Sequence, residues 1–138
     1  MDLQRLLGRV VVVAGDAPEL AEIAALAMNN GAAVAVVSAV LDVGTAASVR
    51  FRADARDRDA WERVAMHVEQ HLGPVDGVVT DESSCAVVDG VFAADLARRG
   101  RDAVHVVRSQ EDVAAIVTHL ADRPRAAPSP PPDAEPER

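Results

Sequence analysis

The chain has 138 residues, of which 49% are hydrophobic and only 2% aromatic, which fits one domain with an aliphatic core. Its net charge of −8 argues against nucleic-acid binding, because an acidic surface repels a phosphate backbone. The single cysteine, Cys85, excludes an internal disulfide, and no apolar run is long enough to span a bilayer. With no signal segment in view, we predict a cytoplasmic protein without membrane contact.

The first predicted elements are a strand, a tight turn and a helix. Val10–Ala14 is an apolar, mostly β-branched run of the kind found in the middle of a parallel sheet. Gly15 follows as the turn. Asp16 and Glu19 have the spacing of a capping box. The side chains of these two residues are therefore expected to cap the N-terminus of the helix that runs to Asn30.

The rest of the chain alternates short apolar runs with amphipathic segments. Arg50 and Arg52 alternate with apolar residues in one run, which is typical of a strand at a sheet edge. Asp57 and Gly73 flank the longest amphipathic segment, as an N-cap and a helix terminator do. The pattern predicts strands over 33–37, 48–53, 75–80 and 103–107 and helices over 58–72, 86–99 and 110–121.

This alternation predicts an α/β fold, a three-layer Rossmann-like sandwich with a five-stranded parallel sheet of order 3-2-1-4-5. Residues 1–123 are assigned to this domain. Residues 124–138 are rich in proline and acidic residues and contain no large apolar side chain. Such a segment cannot bury enough surface to offset its ordering entropy, so we predict a disordered tail.

A ligand site is expected where the strand order reverses, between strands 1 and 4. Open α/β sheets bind ligands beyond the carboxyl ends of their strands at such a point. This placement depends on topology and not on the chemistry of any one residue. The residues that the topology brings there are Gly15, Asp16, Ser38, Asp54, Thr80, Asp81, Glu82 and Arg108.

Two segments of the chain resemble the short-chain dehydrogenase/reductase family. The first, GRVVVVAGDAPELAEIAALAMNNGAAVAVVS, follows that family's opening strand, turn, helix and second strand. The second, VRFRADARDRDAWERVAMHVEQHLGPVDGVV, follows its third strand, the Asp after it, the next helix and the turn into strand four. The two segments cover roughly residues 8–80, beyond which only the topology is shared.

The resemblance implies an NAD(P)-binding domain. Gly15 would be the first glycine of its phosphate loop, and Asp54 would meet the adenine amino group. Thr80-Asp81-Glu82-Ser83 would replace the family's Asn-Asn-Ala-Gly turn, and Ser109 lies near the place of the catalytic serine without the surrounding motif. The cofactor-binding candidates are Gly15, Asp16, Ser38, Asp54 and Thr80.

The chain departs from the family at its phosphate loop and its catalytic pair. Only Gly15 remains of three glycines that let the backbone approach a pyrophosphate. Asp16 and Glu19 place carboxylates at a helix N-terminus that otherwise attracts anions. The family uses a Tyr as acid/base and a Lys that lowers its pKa, and this chain contains neither. We therefore expect no catalytic residue of that kind and no resident cofactor, with NAD(P) left as an alternative by resemblance.

Two further patterns have a functional and a structural interpretation, and we favour the structural one. His67 and His71 are four residues apart on a predicted helix and could bind a metal, or could be solvated. Cys85 follows a polar loop over 81–84 and could be a nucleophile, or the loop could be a capped connection. We expect no metal site.

Two more patterns concern charge. The arginines at 98, 99, 101 and 108 could hold an anion or could balance local acids, and the second interpretation is favoured. By position, Asp16, Asp54, Thr80 and Arg108 echo the acid, acid, hydroxyl and base of a response-regulator receiver domain. That domain needs a Lys after strand five, which this chain lacks.

The chain is thus predicted to be a truncated, degenerate dehydrogenase-like protein, a pseudoenzyme that serves as a scaffold, interaction or regulatory protein. Its expected partner is another protein or a second copy. One alternative is a protein that still binds a nucleotide or small metabolite at the switch point, and another is an enzyme with a different mechanism. The Ala-, Arg- and Val-rich, Lys-free composition is typical of a high-GC bacterial genome.

Overall fold

The computed structural model describes residue 6 and residues 8–40, 47–98 and 104–122. Within these ranges the strands and helices follow the predicted order, with boundaries close to the expected ones. The elements are β1 (Val10–Ala14), α1 (Pro18–Asn29), β2 (Ala33–Ser38), β3 (Val49–Arg52), α2 (Arg58–His71), β4 (Gly77–Asp81), α3 (Cys85–Arg98), β5 (His105–Val107) and α4 (Gln110–Asp122).

The five strands form one parallel sheet of order β3-β2-β1-β4-β5, which confirms the predicted fold class and strand order. β1 lies at the centre, where Val11 pairs with Val34 of β2 on one side and with Gly77 of β4 on the other. The strand order therefore reverses between β1 and β4, and their carboxyl ends meet at the expected ligand-binding edge.

Helices cover the sheet on both faces, because the central strands are apolar on both faces. Val11 and Val13 of β1 pack in a cluster with residues of α1 and α4. Val10, Val12 and Ala14 pack in a second cluster with residues of α2 and α3. All five residues of β1 are buried, which is the burial expected for a central parallel strand.

The start of the helix α2 is held by its N-cap residue, Asp57, and by the side chain of Trp61. Asp57 accepts a hydrogen bond from the backbone N–H of Asp59 at 3.0 Å, which confirms the predicted N-cap. The indole N–H of Trp61 donates to the carbonyl of Ala55 at 2.8 Å, and its ring meets Phe92 of α3 edge-on at 5.2 Å. The buried polar atom of the indole is thereby satisfied.

Two predicted segments fall outside the description. Most of the connection over 39–47 and the whole tail over 124–138 lie beyond the described residues. One boundary differs in a way that matters for the site: β4 extends to Asp81, which was expected in a loop. Of the helices described, none is both long enough and apolar enough to cross a membrane.

Candidate functional site

The turn after β1 is tight, and α1 begins later than a capping box requires. Gly15 has a φ of +133° and donates its N–H to the carbonyl of Val37 at 2.9 Å. Pro18 is the first residue of α1, and Ala17 is its N-cap without a side-chain hydrogen bond. The predicted cap by Asp16 and Glu19 is wrong, because proline favours the first helical position and shifts the start of the helix.

The carboxylate that caps α1 comes instead from the end of β4. Oδ2 of Asp81 accepts hydrogen bonds from the backbone N–H groups of Asp16 at 2.9 Å and Ala17 at 3.1 Å. Its Oδ1 accepts from the hydroxyl of Ser83 and the N–H of Ser84, both at 3.0 Å. The side chain thus ties α1 to β4 across about half the length of the chain.

Asp81 is buried and charged. Its residue is only 7% exposed, and this burial by itself raises the pKa of the carboxyl group. The backbone N–H donors of Asp16 and Ala17, joined by Ser83 and Ser84, outweigh the burial and hold the pKa below its ordinary value. The negative charge also lies at the positive end of the α1 dipole, which stabilises it further.

Gly15 is required at this turn for two reasons. Its positive φ is a conformation that residues with a side chain rarely adopt. A Cβ at this position would also lie 2.6 Å from Oδ2 and 2.7 Å from Cγ of Asp81. The space beside the turn, where a bound phosphate would approach the backbone, is therefore filled by the carboxylate.

Asp16 turns toward the end of β2. Its Oδ1 accepts a hydrogen bond from the hydroxyl of Ser38 at 2.7 Å and another from the N–H of Ala39 at 3.2 Å. The hydroxyl of Ser38 accepts in turn from the N–H of Val40 at 3.0 Å, and Ser38 is buried. Two candidate residues are thus brought together, and their polar atoms satisfy each other.

Thr80 is not brought into the crevice. Its hydroxyl donates to the carbonyl of Ala14 at 2.7 Å, and the residue is fully buried. The hydroxyl therefore joins β4 to β1 within the sheet. The side chains of a strand point alternately to opposite faces, and for Thr80 this places the hydroxyl in the protein interior.

Asp54 lies at the outer end of the crevice, just beyond β3. It accepts hydrogen bonds from the N–H of Arg56 at 2.9 Å and from its guanidinium Nε at 3.1 Å. The guanidinium hydrogen bond is the main reason that the pKa of Asp54 lies below its ordinary value. Asp16 and Asp81 also attract the positive charge of Arg56 and contribute to raising its pKa.

The last two candidates pair with each other. Nε of Arg108 donates to Oε2 of Glu82 at 3.2 Å, and both side chains are largely exposed. Glu82 follows β4 and Arg108 follows β5, so this ion pair lies on the side of the crevice away from Asp54. Among the described residues, the crevice thus brings together carboxylates of both ends of the sheet with the guanidinium groups of Arg56 and Arg108, and Asp81 holds the N–H donors of Asp16 and Ala17.

The histidines do not assemble a larger metal site. His67 and His71 are exposed, with ring centroids 4.9 Å apart, and His105 and His119 are similarly paired at 5.1 Å. Over the part of the chain that the structure describes, no three His, Cys, Asp or Glu residues come together as metal ligands.

The candidate nucleophile and the candidate anion-binding arginines were the remaining sequence patterns. Cys85 is the half-buried first residue of α3. Arg98 pairs with Asp95 at 2.7 Å, whereas residues 99 and 101 lie outside the described ranges.

Two features were missed in the sequence. The sequence pattern places Asp81 in a polar loop after strand four and therefore does not predict its role as the cap of α1. The available indication of that role was the position of Asp81 at the end of the strand that lies beside β1. The second feature is a groove between β3 and α2, which no sequence motif predicts. Its lining residues are Arg50, Phe51, Arg52, Ala53, Ala60, Arg63, Val64 and His67.

The chain is similar to solved structures of a Serratia marcescens short-chain dehydrogenase/reductase. Three double-mutant forms match with TM-scores of 0.47, 0.47 and 0.45 and sequence identities of 22%, 23% and 23%. The matches cover 85% of this chain but only 50–51% of those structures, so the chain spans about half their length. At this identity the likeness concerns the fold alone. No protein-family model and no curated protein matches the chain.

Proposed function

We propose that this chain is a non-catalytic protein of Rossmann-like fold that acts as an interaction or regulatory protein. The observation that carries this proposal is the carboxylate of Asp81 on the N–H groups of Asp16 and Ala17. Those N–H groups, at the start of the first helix after a glycine turn, are the ones that a dinucleotide-binding fold offers to a pyrophosphate. In this chain those N–H groups donate instead to the carboxylate of Asp81.

The energetics favour the internal anion over a phosphate. To vacate the position, the Asp81 carboxylate would have to give up four hydrogen bonds, each worth roughly 1.5–3 kcal/mol for a charged acceptor. If it stayed, it would repel a phosphate by about 1 kcal/mol at 4 Å in water and by several times that in a partly buried site. Asp16 adds a further negative charge beside the same turn.

The absence of Tyr and Lys supports the non-catalytic part of the proposal. The acid/base mechanism of the family that the sequence resembles needs both residues, and no arginine could restore it, because the tyrosine whose pKa a cation would lower is itself absent. A regulatory or interaction role keeps the fold and needs neither residue.

The test is a calorimetric titration of the chain with NADH, NADPH, ATP and pyrophosphate. We expect no saturable binding to the wild type at millimolar ligand. Asp81→Asn removes the charge while keeping the shape, and we expect it to gain measurable pyrophosphate binding. Asp76→Asn is the matched control. Asp76 also accepts a backbone hydrogen bond, from the N–H of Val10 at 2.9 Å, but it lies at the amino ends of β1 and β4, away from the crevice.

Saturable binding of NADH or NADPH to the wild type, lost on adding a side chain at Gly15, would overturn the proposal in favour of a nucleotide-binding protein. Hydride transfer from NADPH to any carbonyl compound would overturn its non-catalytic part. Equal pyrophosphate binding by the Asp81 and Asp76 variants would show that the carboxylate at the turn is not what excludes the ligand.

A further inference from the structure

The four histidines of the chain lie in two pairs whose rings are close together. On α2 the ring centroids of His67 and His71 are 4.9 Å apart, and both residues are exposed. The rings of His105 on β5 and His119 on α4 are 5.1 Å apart, and each of these two residues has a further interaction within the chain. The pair on α2 is therefore the more accessible of the two to a ligand.

The separation of the two rings on α2 matches that of two imidazoles bound to one metal ion. Histidine nitrogens bind zinc at about 2.0–2.1 Å, and the centroid of the ring lies about 1.2 Å behind the nitrogen. Two imidazoles at adjacent positions of a tetrahedral or square arrangement therefore have centroids about 4.5–5.2 Å apart. The 4.9 Å between His67 and His71 lies within this range, with the two ring planes tilted by 59°.

The helix holds the two rings in this arrangement. Residues four apart are neighbours on the surface of an α-helix, and α2 includes both histidines. The nearby side chains of Val64 and Val68 are buried and fix α2 on the sheet. The ring of Phe51 on β3 lies against that of His67, with centroids 5.9 Å apart, and limits its movement. An ion would therefore meet two ligands that are already close to their bound positions.

The electrostatic setting of the pair favours a cation on balance. His71 is the last residue of α2, so the pair lies at the negative end of the helix dipole. The net charge of −8 also attracts cations to the chain as a whole. Arg63 lies one turn before His67 and opposes a cation, but it is exposed, and water and salt screen its charge. Arg63 therefore lowers the affinity for an ion without excluding it.

We propose that His67 and His71 form a chelating site for one divalent transition-metal ion of the Zn²⁺, Ni²⁺ or Cu²⁺ class. Imidazole nitrogens suit these ions, whereas Mg²⁺ and Ca²⁺ prefer oxygen ligands. Over the described ranges no third His, Cys, Asp or Glu side chain joins the two, so the remaining coordination positions fall to water. The sequence pattern alone favours a solvated pair, and the separation of the rings is the observation that favours the metal.

The experiment is a calorimetric titration of the untagged full chain with NiCl₂. We expect saturable binding of one ion per chain at submillimolar concentration, and no saturable binding of MgCl₂ or CaCl₂. Failure of Ni²⁺ to bind would overturn the proposal, and so would equal binding of Mg²⁺, because oxygen ligands would then be responsible. One ion per two chains would overturn the two-ligand site, since a second copy would then supply further ligands.

Variants of the chain test whether the ion binds on α2. His71→Gln removes one of the two ligands, and we expect at least roughly tenfold weaker binding of Ni²⁺. His119→Gln is the matched control, because it removes one ring of the other histidine pair, and it should leave the affinity unchanged. Equal losses in these two variants would overturn the assignment. His67→Gln tests the other ligand, and full binding by this variant would overturn the chelate.

Stability provides a second measurement of the same site. The helix holds the two ligands together only while α2 is folded, so Ni²⁺ should raise the urea midpoint of the wild type and of His119→Gln but not that of His71→Gln. EDTA should reverse the rise. An equal rise in His71→Gln would overturn the proposal. The dinucleotide and pyrophosphate titrations depend on the turn at Asp81 and the nickel titration depends on α2, so either proposal can fail alone.

Discussion

Asp81 and Asp54 are carboxylates at the same edge of one parallel sheet, and they differ in burial and in the source of their hydrogen bonds. Asp81 is buried and accepts from residues of a different element, 64 and 65 positions away in sequence. Asp54 is exposed and accepts from Arg56, two positions away. Both have lowered pKa values, but for different reasons.

The comparison teaches that a lowered pKa measures what surrounds a carboxylate and not what the carboxylate does. Asp81 fixes the position of α1 against β4 and occupies an anion site, because two of its four hydrogen bonds come from Asp16 and Ala17, far away in the chain. Asp54 organises only its own turn. We therefore expect changes at Asp81 to alter the stability of the whole domain, and changes at Asp54 or Arg56 to remain local.

The largest effect is expected from Gly15→Ala, which forces a Cβ into the Asp81 carboxylate. The destabilisation should be at least about 3 kcal/mol, since backbone strain at positive φ adds to the overlap at 2.6 Å. Gly73→Ala is the matched control, because Gly73 also has positive φ but nothing lies within 4 Å of its Cβ position. We expect about 1 kcal/mol there. Urea unfolding measures both, and equal losses would contradict the tight fit of Asp81 to the turn.

Asp81→Asn should lower the free energy of unfolding by about 2–3 kcal/mol, because one pair of donors then faces an amide N–H₂ instead of an oxygen. Asp76→Asn makes the same change at a carboxylate that accepts the N–H of Val10 away from the α1 terminus, and it should cost about 1 kcal/mol. The comparison of the two in urea isolates the charge at the α1 terminus. A loss at Asp76 as large as that at Asp81 would show that the α1 terminus is not a special anion site.

Acid should remove the contribution of Asp81. Its pKa is lower in the folded than in the unfolded chain, so the stability that it contributes is complete above about pH 5. That contribution is lost as the pH falls from the ordinary value of 3.8 through the folded-state pKa. The difference in unfolding free energy between the wild type and Asp81→Asn should therefore shrink below about pH 4. A difference that stays constant down to pH 2, roughly, would contradict a charged Asp81.

Ser38→Ala tests the link between the turn and β2. The hydroxyl is buried, donates to Asp16 at 2.7 Å and accepts from Val40, so its loss should cost about 1 kcal/mol. In a double-mutant cycle with Asp16→Ala, the two losses should not add, because each substitution removes the same hydrogen bond. Additive losses would show that the pair does not interact in solution.

The smallest effect on stability is expected at the exposed ion pair of Arg56 with Asp54. Arg56→Gln removes the ion pair with Asp54, but both side chains are about half exposed and the pair lies within one turn. The urea midpoint should be unchanged within error, while the NMR-monitored pKa of Asp54 rises toward its ordinary value. A loss of stability comparable to that of Asp81→Asn would remove the distinction between the two carboxylates.

Much of the fold was predictable because it follows from local patterns. The buried run Val10–Ala14, the cap at Asp57 and the alternation of apolar segments specify elements and their order, and right-handed crossovers restrict the topology. The lack of Tyr and Lys is likewise a property of the sequence alone. Which strand ends meet at the crevice followed from the strand order.

Only the tertiary structure decided what those residues do. Asp16 and Glu19 had the spacing of a cap, yet Pro18 moved the start of α1, and a carboxylate from β4 took the donors. Thr80 was expected at the crevice, yet the alternation of β4 turned its hydroxyl into the sheet. Sequence spacing reports which groups are near along the chain, whereas the buried hydrogen bond of Asp81 joins groups that only the packed sheet brings together.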